Sequence, residues 1–205
     1  GNFVVTVNPL PVITPISSQT ICSGQSTIAV TPSSNVNGTT YQWSSVTSAN
    51  ITGNTASGSG SIPSQTLSNS GTTAGTVTYS ITPTANNCTG TPLSYTVTVN
   101  PIPQVTATPS TATICSGSVT NIQLTSNVNG ATFAWTVNAP GSIAGASNGT
   151  GNNIQQILTS SSSNTQTVTY TITPSANNCN GTPITVSITV NPGVTLNFSS
   201  SPQTV

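Results

Sequence analysis

The sequence predicts an all-β protein made of tandem antiparallel β-sandwiches. Three observations predict it: apolar residues that alternate with period two, sequence blocks that recur after about 91 residues, and turn-forming residues between the blocks.

The repeat comes first. Asn35-Val36-Asn37-Gly38-Thr39-Thr40-Tyr41-Gln42-Trp43 returns as Asn127-Val128-Asn129-Gly130-Ala131-Thr132-Phe133-Ala134-Trp135, an offset of 135 − 43 = 92. Ile21-Cys22-Ser23-Gly24 returns as Ile114-Cys115-Ser116-Gly117 at 93. Thr76 to Pro83 returns as Thr167 to Pro174, and Asn86-Asn87-Cys88 as Asn177-Asn178-Cys179, both at 91. Offsets that drift by one or two residues point to small loop insertions within one plan. Phe3 to Pro9 matches Tyr95 to Pro101 and Ser187 to Pro192. Four segments are therefore expected: 1–8 as the last strand of a preceding repeat, 9–100 and 101–191 as full repeats, and 192–205 as the start of a following one. A repeat of this length is close to an immunoglobulin-like sandwich.

Within each repeat the strands can be taken in order. Ile28 with Val30, and Ile122 with Leu124, suggest an early strand. After the Asn37-Gly38 and Asn129-Gly130 turn signals come Tyr41 with Trp43 and Phe133 with Trp135. Val77, Tyr79 and Ile81 then face one way while Thr76, Thr78, Ser80 and Thr82 face the other. Tyr95, Val97 and Val99, matched by Val186, Ile188 and Val190, make the closing strand. Trp43, Trp135, Tyr79 and Tyr170 are the expected core aromatics. No helical run is visible where Thr, Ser, Val, Gly and Pro dominate.

Composition narrows the chemistry. The 205 residues include no Lys, Arg, Asp, Glu or His. At the usual charged fraction a run this long would arise with a probability of ~10⁻²⁵, so charge is selected against. General acid–base catalysis has no residue to use, and a serine nucleophile has no base. Carboxylate sites for calcium and Cys/His sites for zinc are missing, so no metal or cofactor is expected. Nucleic acid and anionic membranes find no basic side chain. No apolar run of membrane-spanning length occurs, and no signal peptide is visible. The 73 Ser and Thr residues would also suit a disordered stalk, but the strict alternation argues for folding.

Each core is thin, so a cross-link is expected. The four cysteines occupy equivalent places, two per repeat, separated by 88 − 22 = 66 and 179 − 115 = 64 residues. The favoured pairing is Cys22–Cys88 with Cys115–Cys179, each loop stabilising by roughly 4 kcal/mol in the chain-entropy model. A staggered Cys22–Cys179 link between one repeat's early loop and the next repeat's hairpin is the alternative, and free thiols are the third case. A disulfide implies an oxidising, extracytoplasmic setting.

Thr-Ile-Cys-Ser-Gly (Thr20 to Gly24, Thr113 to Gly117), the Tyr/Phe-x-Trp strand, Thr-Val-Thr-Tyr-x-Ile-Thr-Pro, Asn-Asn-Cys-x-Gly-Thr-Pro and the closing Val-Asn-Pro together resemble the PKD-like repeats of giant Bacteroidota cell-surface proteins, including adhesins of the SprB-like gliding type exported by type IX secretion. The resemblance implies an immunoglobulin-like β-sandwich, an extracellular or cell-surface location, and a stalk or adhesin role. It brings no catalytic residues. The aspartates of better-known PKD domains are missing here, so calcium binding is not carried over.

Two functional readings follow. One is a non-enzymatic stalk or filament segment, in which Asn-Pro-x-Pro linkers (Asn8 to Pro11, Asn100 to Pro103) stiffen the joints and the lack of charge lets copies pack without repulsion. Its partners are neighbouring repeats of the same chain or other copies of itself. The other is an adhesive module for carbohydrate or a surface polysaccharide, recognised through Asn, Gln, Ser, Thr and aromatic rings. Asn37, Asn50, Asn87, Asn148, Asn180 and Asn197 lie in glycosylation sequons.

Overall fold

The structure is a computed structural model that describes residues 1–193. Those residues contain strands and turns and no helix. They form two compact units: Gly1–Ile102 together with Asn177–Cys179, and Pro103–Ala176 with the described residues from Asn180 onward.

The alternating runs become the longest strands. In the first unit Gly75–Ala85 is central, flanked by Thr40–Thr47 and Leu93–Asn100. Val77, Tyr79 and Ile81 are fully buried on its inner face, while Thr76, Thr78 and Thr82 are half-buried on the other. Every second residue therefore points into the sandwich and the hydroxyls line its outside. The second unit repeats this with Gln166–Ala176 between Thr132–Asn138 and Ile184–Asn191, burying Val168, Tyr170 and Ile172.

One pairing departs from the antiparallel expectation. Gln19–Cys22 lies on Leu93–Asn100, and Thr111–Cys115 on Ile184–Asn191, in parallel. Most of a sandwich separates these partners in sequence, so the early strand can join the sheet edge in either direction; only a tight hairpin forces antiparallel pairing.

The opposite layer differs between the units. In the second, Val105–Thr108, Ile122–Ser126 and Asn153–Ile154 form a sheet that buries Ile122 and Leu124 as expected. In the first, the region around Ile28 and Val30 makes only isolated bridges. Val30 is buried but Ile28 is 77% exposed, which corrects the strand expected there. The drop in offset from 93 to 92 explains it: one extra residue between Thr27 and Val30 breaks the alternation, and Pro32 takes the buried place of Leu124 without an N–H to donate.

The hairpin after each central strand is a two-residue turn, with Ala85 opposite Cys88. Asn86 and Asn87 have φ of 48° and 60°, and Asn177 and Asn178 have 50° and 62°. Asn tolerates this left-handed geometry, which matches the strand twist. The glycine two residues after each cysteine is fixed by close approach. A Cβ on Gly90 would strike the carbonyl oxygen of Pro11, and one on Gly181 that of Pro103. Gly58 and Gly149 sit opposite Trp43 and Trp135 on paired strands, where a Cβ would enter the indole ring.

Residues 1–8, read as the last strand of a preceding repeat, pair with no described strand of this chain, and Phe3 is 98% exposed. A closing strand needs a central strand beside it, and both central strands are already flanked by their own. The start of a following repeat, read at 192–205, lies outside the described residues from 194 on.

Gly181→Ala should lower stability by about 1–3 kcal/mol through overpacking, and Gly141→Ala, which meets nothing within 4 Å, by less than about 0.5 kcal/mol. Urea unfolding of the two variants followed by tryptophan fluorescence measures the difference.

Candidate functional site

Two features recur in both units and hold polar chemistry: a buried Thr–Gln–Tyr cluster and the cysteine-bearing corner beside it.

The cluster is built from four chain segments. In the first unit Tyr79 Oη donates to Gln65 Oε1 at 3.0 Å, and the Thr55 N–H donates to the same oxygen at 2.8 Å. Gln65 N–H donates to Thr27 Oγ1 at 3.0 Å, and Thr27 N–H returns a bond to the Gln65 carbonyl at 2.9 Å. In the second unit Tyr170 Oη donates to Gln156 Oε1 at 2.8 Å, joined there by the Ser147 N–H at 3.1 Å. Gln156 N–H donates to Thr120 Oγ1 at 2.9 Å, and Thr120 N–H to the Gln156 carbonyl at 2.8 Å. A buried phenol is stabilised by an acceptor, and a neutral glutamine supplies one to Tyr79 and Tyr170 where no carboxylate exists.

The sequence reading missed Gln65 and Gln156. The signal was present: Gln65-Thr66-Leu67 returns as Gln156-Ile157-Leu158 at the common offset of 91. Both leucines are fully buried. Their carbonyls accept the N–H of Gly24 and of Gly117, each at 2.8 Å, which ties this segment to the cysteine corner.

The expected aromatic residues all lie in the cores. Trp43 is 5% and Trp135 7% exposed, and Tyr79 and Tyr170 are buried. Trp43 meets Tyr79 edge-on with ring centroids 5.8 Å apart, and Tyr79 stacks on Tyr95 at 5.7 Å. Trp135 Nε1 donates to the Ser147 carbonyl at 3.2 Å, whereas Trp43 Nε1 has no partner. Burial pushes the Tyr95 phenol up to about 12, with the neighbouring Tyr79 adding to the shift. Burial also pushes Tyr170 up to about 12 against the opposing hydrogen bond with Thr120. Tyr79 is raised by burial, partly offset by Gln65.

The cysteines correct the favoured pairing. Cys22 is bonded to Cys179, while Cys88 and Cys115 are free thiols. Neither Cys22–Cys88 nor Cys115–Cys179 forms. The Asn177–Cys179 tip belongs to the first unit by its contacts, and the bond lies within that unit. Two hydrogen bonds set the corner: Ser23 N–H donates to the Asn100 carbonyl at 2.8 Å, and Asn100 Nδ2 to the Asn177 carbonyl at 3.2 Å. Loop entropy could not have chosen this pairing, because the chain-entropy gain rises only logarithmically with loop length. Of the sequons, Asn37, Asn50, Asn87, Asn148 and Asn180 are exposed, and Asn197 lies outside the described residues.

Fold and corner thus define a tandem β-sandwich protein with one copy of the same polar cluster per repeat. The model of the PKD-like domain matches residues 19–103 and 112–194, and the chain belongs to that family. A comparison with curated proteins finds no match. Among solved structures, the human desmocollin-1 ectodomain is similar at 10% identity and a TM-score of 0.45, with 91% of this chain and 42% of that chain covered. Protocadherin gamma B2 extracellular cadherin domains 3–6 are similar at 13% identity and a TM-score of 0.47, covering 91% and 52%. The fibronectin(III)-like modules of Clostridium thermocellum CbhA are similar at 11% identity and a TM-score of 0.34, covering 89% and 95%. The chain spans about half the length of the first two.

The buried phenols set the pH dependence. Below about pH 10 tyrosine is neutral in both folded and unfolded chains, so these groups do not alter stability. Above it the unfolded chain sheds phenolic protons that folded Tyr95 and Tyr170 keep up to about 12. Stability should fall as pH rises from about 10 to 12 and stay flat from about pH 4 to 8. Thermal unfolding across that range checks it. Gln156→Ala, which strands the Tyr170 hydroxyl and the Ser147 N–H, should cost about 2–4 kcal/mol in the same assay, and Tyr170→Phe about 1 kcal/mol.

Proposed function

We propose that this chain is a non-enzymatic structural segment of a long extracellular surface protein, a stalk or filament portion of a Bacteroidota adhesin of the SprB-like type. One observation carries the reading: two repeats build the same sandwich, turn their rings inward, and leave an uncharged outer face of Thr, Ser and Asn. Within the sandwiches, Tyr41 is the most exposed aromatic residue and is half-buried. Flat apolar rings for stacking against a ligand are therefore scarce, while hydroxyls hydrate the surface at any pH. The disulfide supports an oxidising location, and with it export to the cell surface. Type IX secretion and gliding motility rest on the sequence resemblance alone.

A carbohydrate-binding module is the second reading. It is favoured by a groove of about 500 Å³ in the second unit, lined by Thr132, Phe133, Thr150, Asn152, Thr173 and Ser175. Neutral hydroxyls and amides there would suit a sugar.

A glycan array probed with the intact chain separates the two. The stalk reading expects a blank array; a reproducible hit that Asn152→Ala weakens at least tenfold would establish the carbohydrate reading in its place. Pulling on the chain ends supplies the mechanical test. The disulfide locks a separation of 157 residues out of the extensible length. The oxidised chain should therefore stop about 550 Å short of the reduced one at about 3.5 Å per residue.

A further inference from the structure

The two free thiols are the counterparts of the two that are bonded. Cys115 stands at the position of Cys22, and Cys88 at the position of Cys179. The formed bond joins an early-strand cysteine of one repeat to the hairpin cysteine of the next. What remains is one early-strand cysteine and one hairpin cysteine, and the backbone around each repeats the bonded site.

At the early position, Cys22 is the last residue of a strand registered against Asn100, and Cys115 the last of a strand registered against Asn191. Ser23 N–H donates to the Asn100 carbonyl at 2.8 Å, and Ser116 N–H to the Asn191 carbonyl at 2.9 Å. The following glycines have φ of 85° and 86°. Asn191 stands where Asn100 binds the backbone of the bonded hairpin. At the hairpin position, both cysteines follow an Asn-Asn turn with nearly the same positive φ values. Gly90 N–H donates to the Pro83 carbonyl at 2.9 Å, and Gly181 N–H to the Pro174 carbonyl at 2.8 Å. Cys115 is exposed and Cys88 partly so.

We infer that both are docking points for further copies of this repeat: Cys115 takes the hairpin cysteine of another copy, and Cys88 takes the early-strand cysteine of another. The partner is a PKD-like repeat carrying Asn-Asn-Cys on one side and Ile-Cys-Ser-Gly on the other. Successive repeats are then stitched by staggered disulfides, one per junction. The inference rests on the repeat-module reading and specifies its partner. Each bond forms by thiol–disulfide exchange with a small-molecule disulfide such as oxidised glutathione. Two S–H bonds are lost and one S–S bond forms; the two protons and two electrons given up by the cysteines break the oxidant's S–S bond and convert it to two thiols.

The test lengthens the whole chain by a second copy of residues 101–191 placed after Asn191. This sets the added hairpin cysteine relative to Cys115 as Cys179 is set relative to Cys22. The lengthened chain is refolded in glutathione redox buffer, alkylated, digested with pepsin and mapped by mass spectrometry without reduction. Of its six cysteines, four from this chain and two from the added copy, two should carry the alkyl group: Cys88 and the added copy's early-strand cysteine. Cys115 should be recovered joined to the added hairpin cysteine, beside the Cys22–Cys179 peptide. In the Cys115→Ser form, the added hairpin cysteine should become alkylated while Cys22–Cys179 persists. Alkylated Cys115 alongside an intact Cys22–Cys179 bond would overturn the inference, as would a Cys88–Cys115 peptide. A glycan-array hit would instead overturn the stalk reading and leave the disulfide map unchanged, so the two failures are distinguishable.

Discussion

With no charged side chain available, each polar atom buried by this fold has to be satisfied by a neutral partner. That constraint organises both sandwiches. The inner faces of the central strands are apolar except at Tyr79 and Tyr170, and there a glutamine brought from a separate segment accepts the phenol. The glutamine backbone exchanges bonds with a threonine just after the cysteine corner, so one cluster fixes three segments relative to the sheet. Buried networks of this kind are costly when incomplete, which favours a single arrangement of the loops they join. The match is not perfect. Gln65 Nε2, Tyr95 Oη and Trp43 Nε1 in the first unit lack partners, and that unit also has the more broken opposite layer.

The contrast between the two copies shows how one insertion spreads. A single added residue before Val30 removes the strand that Ile122–Ser126 provides in the second unit. The cluster survives, because its threonine lies ahead of the insertion and its glutamine on another segment. The parallel edge strand survives too, since its register is set by Gln19–Cys22 against Leu93–Asn100.

Much of this was legible in the sequence. The central and closing strands were readable because their faces differ sharply: valine, isoleucine and tyrosine on one side, threonine and serine on the other. The turns ahead of Tyr41 and Phe133 were readable from Asn-Gly. The strand around Ile28 was not, because alternation over two apolar residues cannot reveal an insertion between them. Gln65 and Gln156 were overlooked because isolated polar residues in loop-like stretches look solvent-exposed; their recurrence at the repeat offset was the available clue. The cysteine pairing was open for a deeper reason. In a tandem array, partners within a repeat and partners in consecutive repeats have the same local sequence, and only the folded geometry tells them apart.

The inward-turned rings have a further consequence for durability. Trypsin-like proteases need lysine or arginine and glutamate-specific ones need an acidic side chain, and this chain offers neither. Chymotrypsin-like enzymes would have to reach aromatic residues that, among those described, are sealed in the sandwiches apart from Phe3 and half-buried Tyr41. A folded surface of this make-up gives the common digestive specificities almost nothing to hold, an advantage for a protein exposed to whatever hydrolases its surroundings contain.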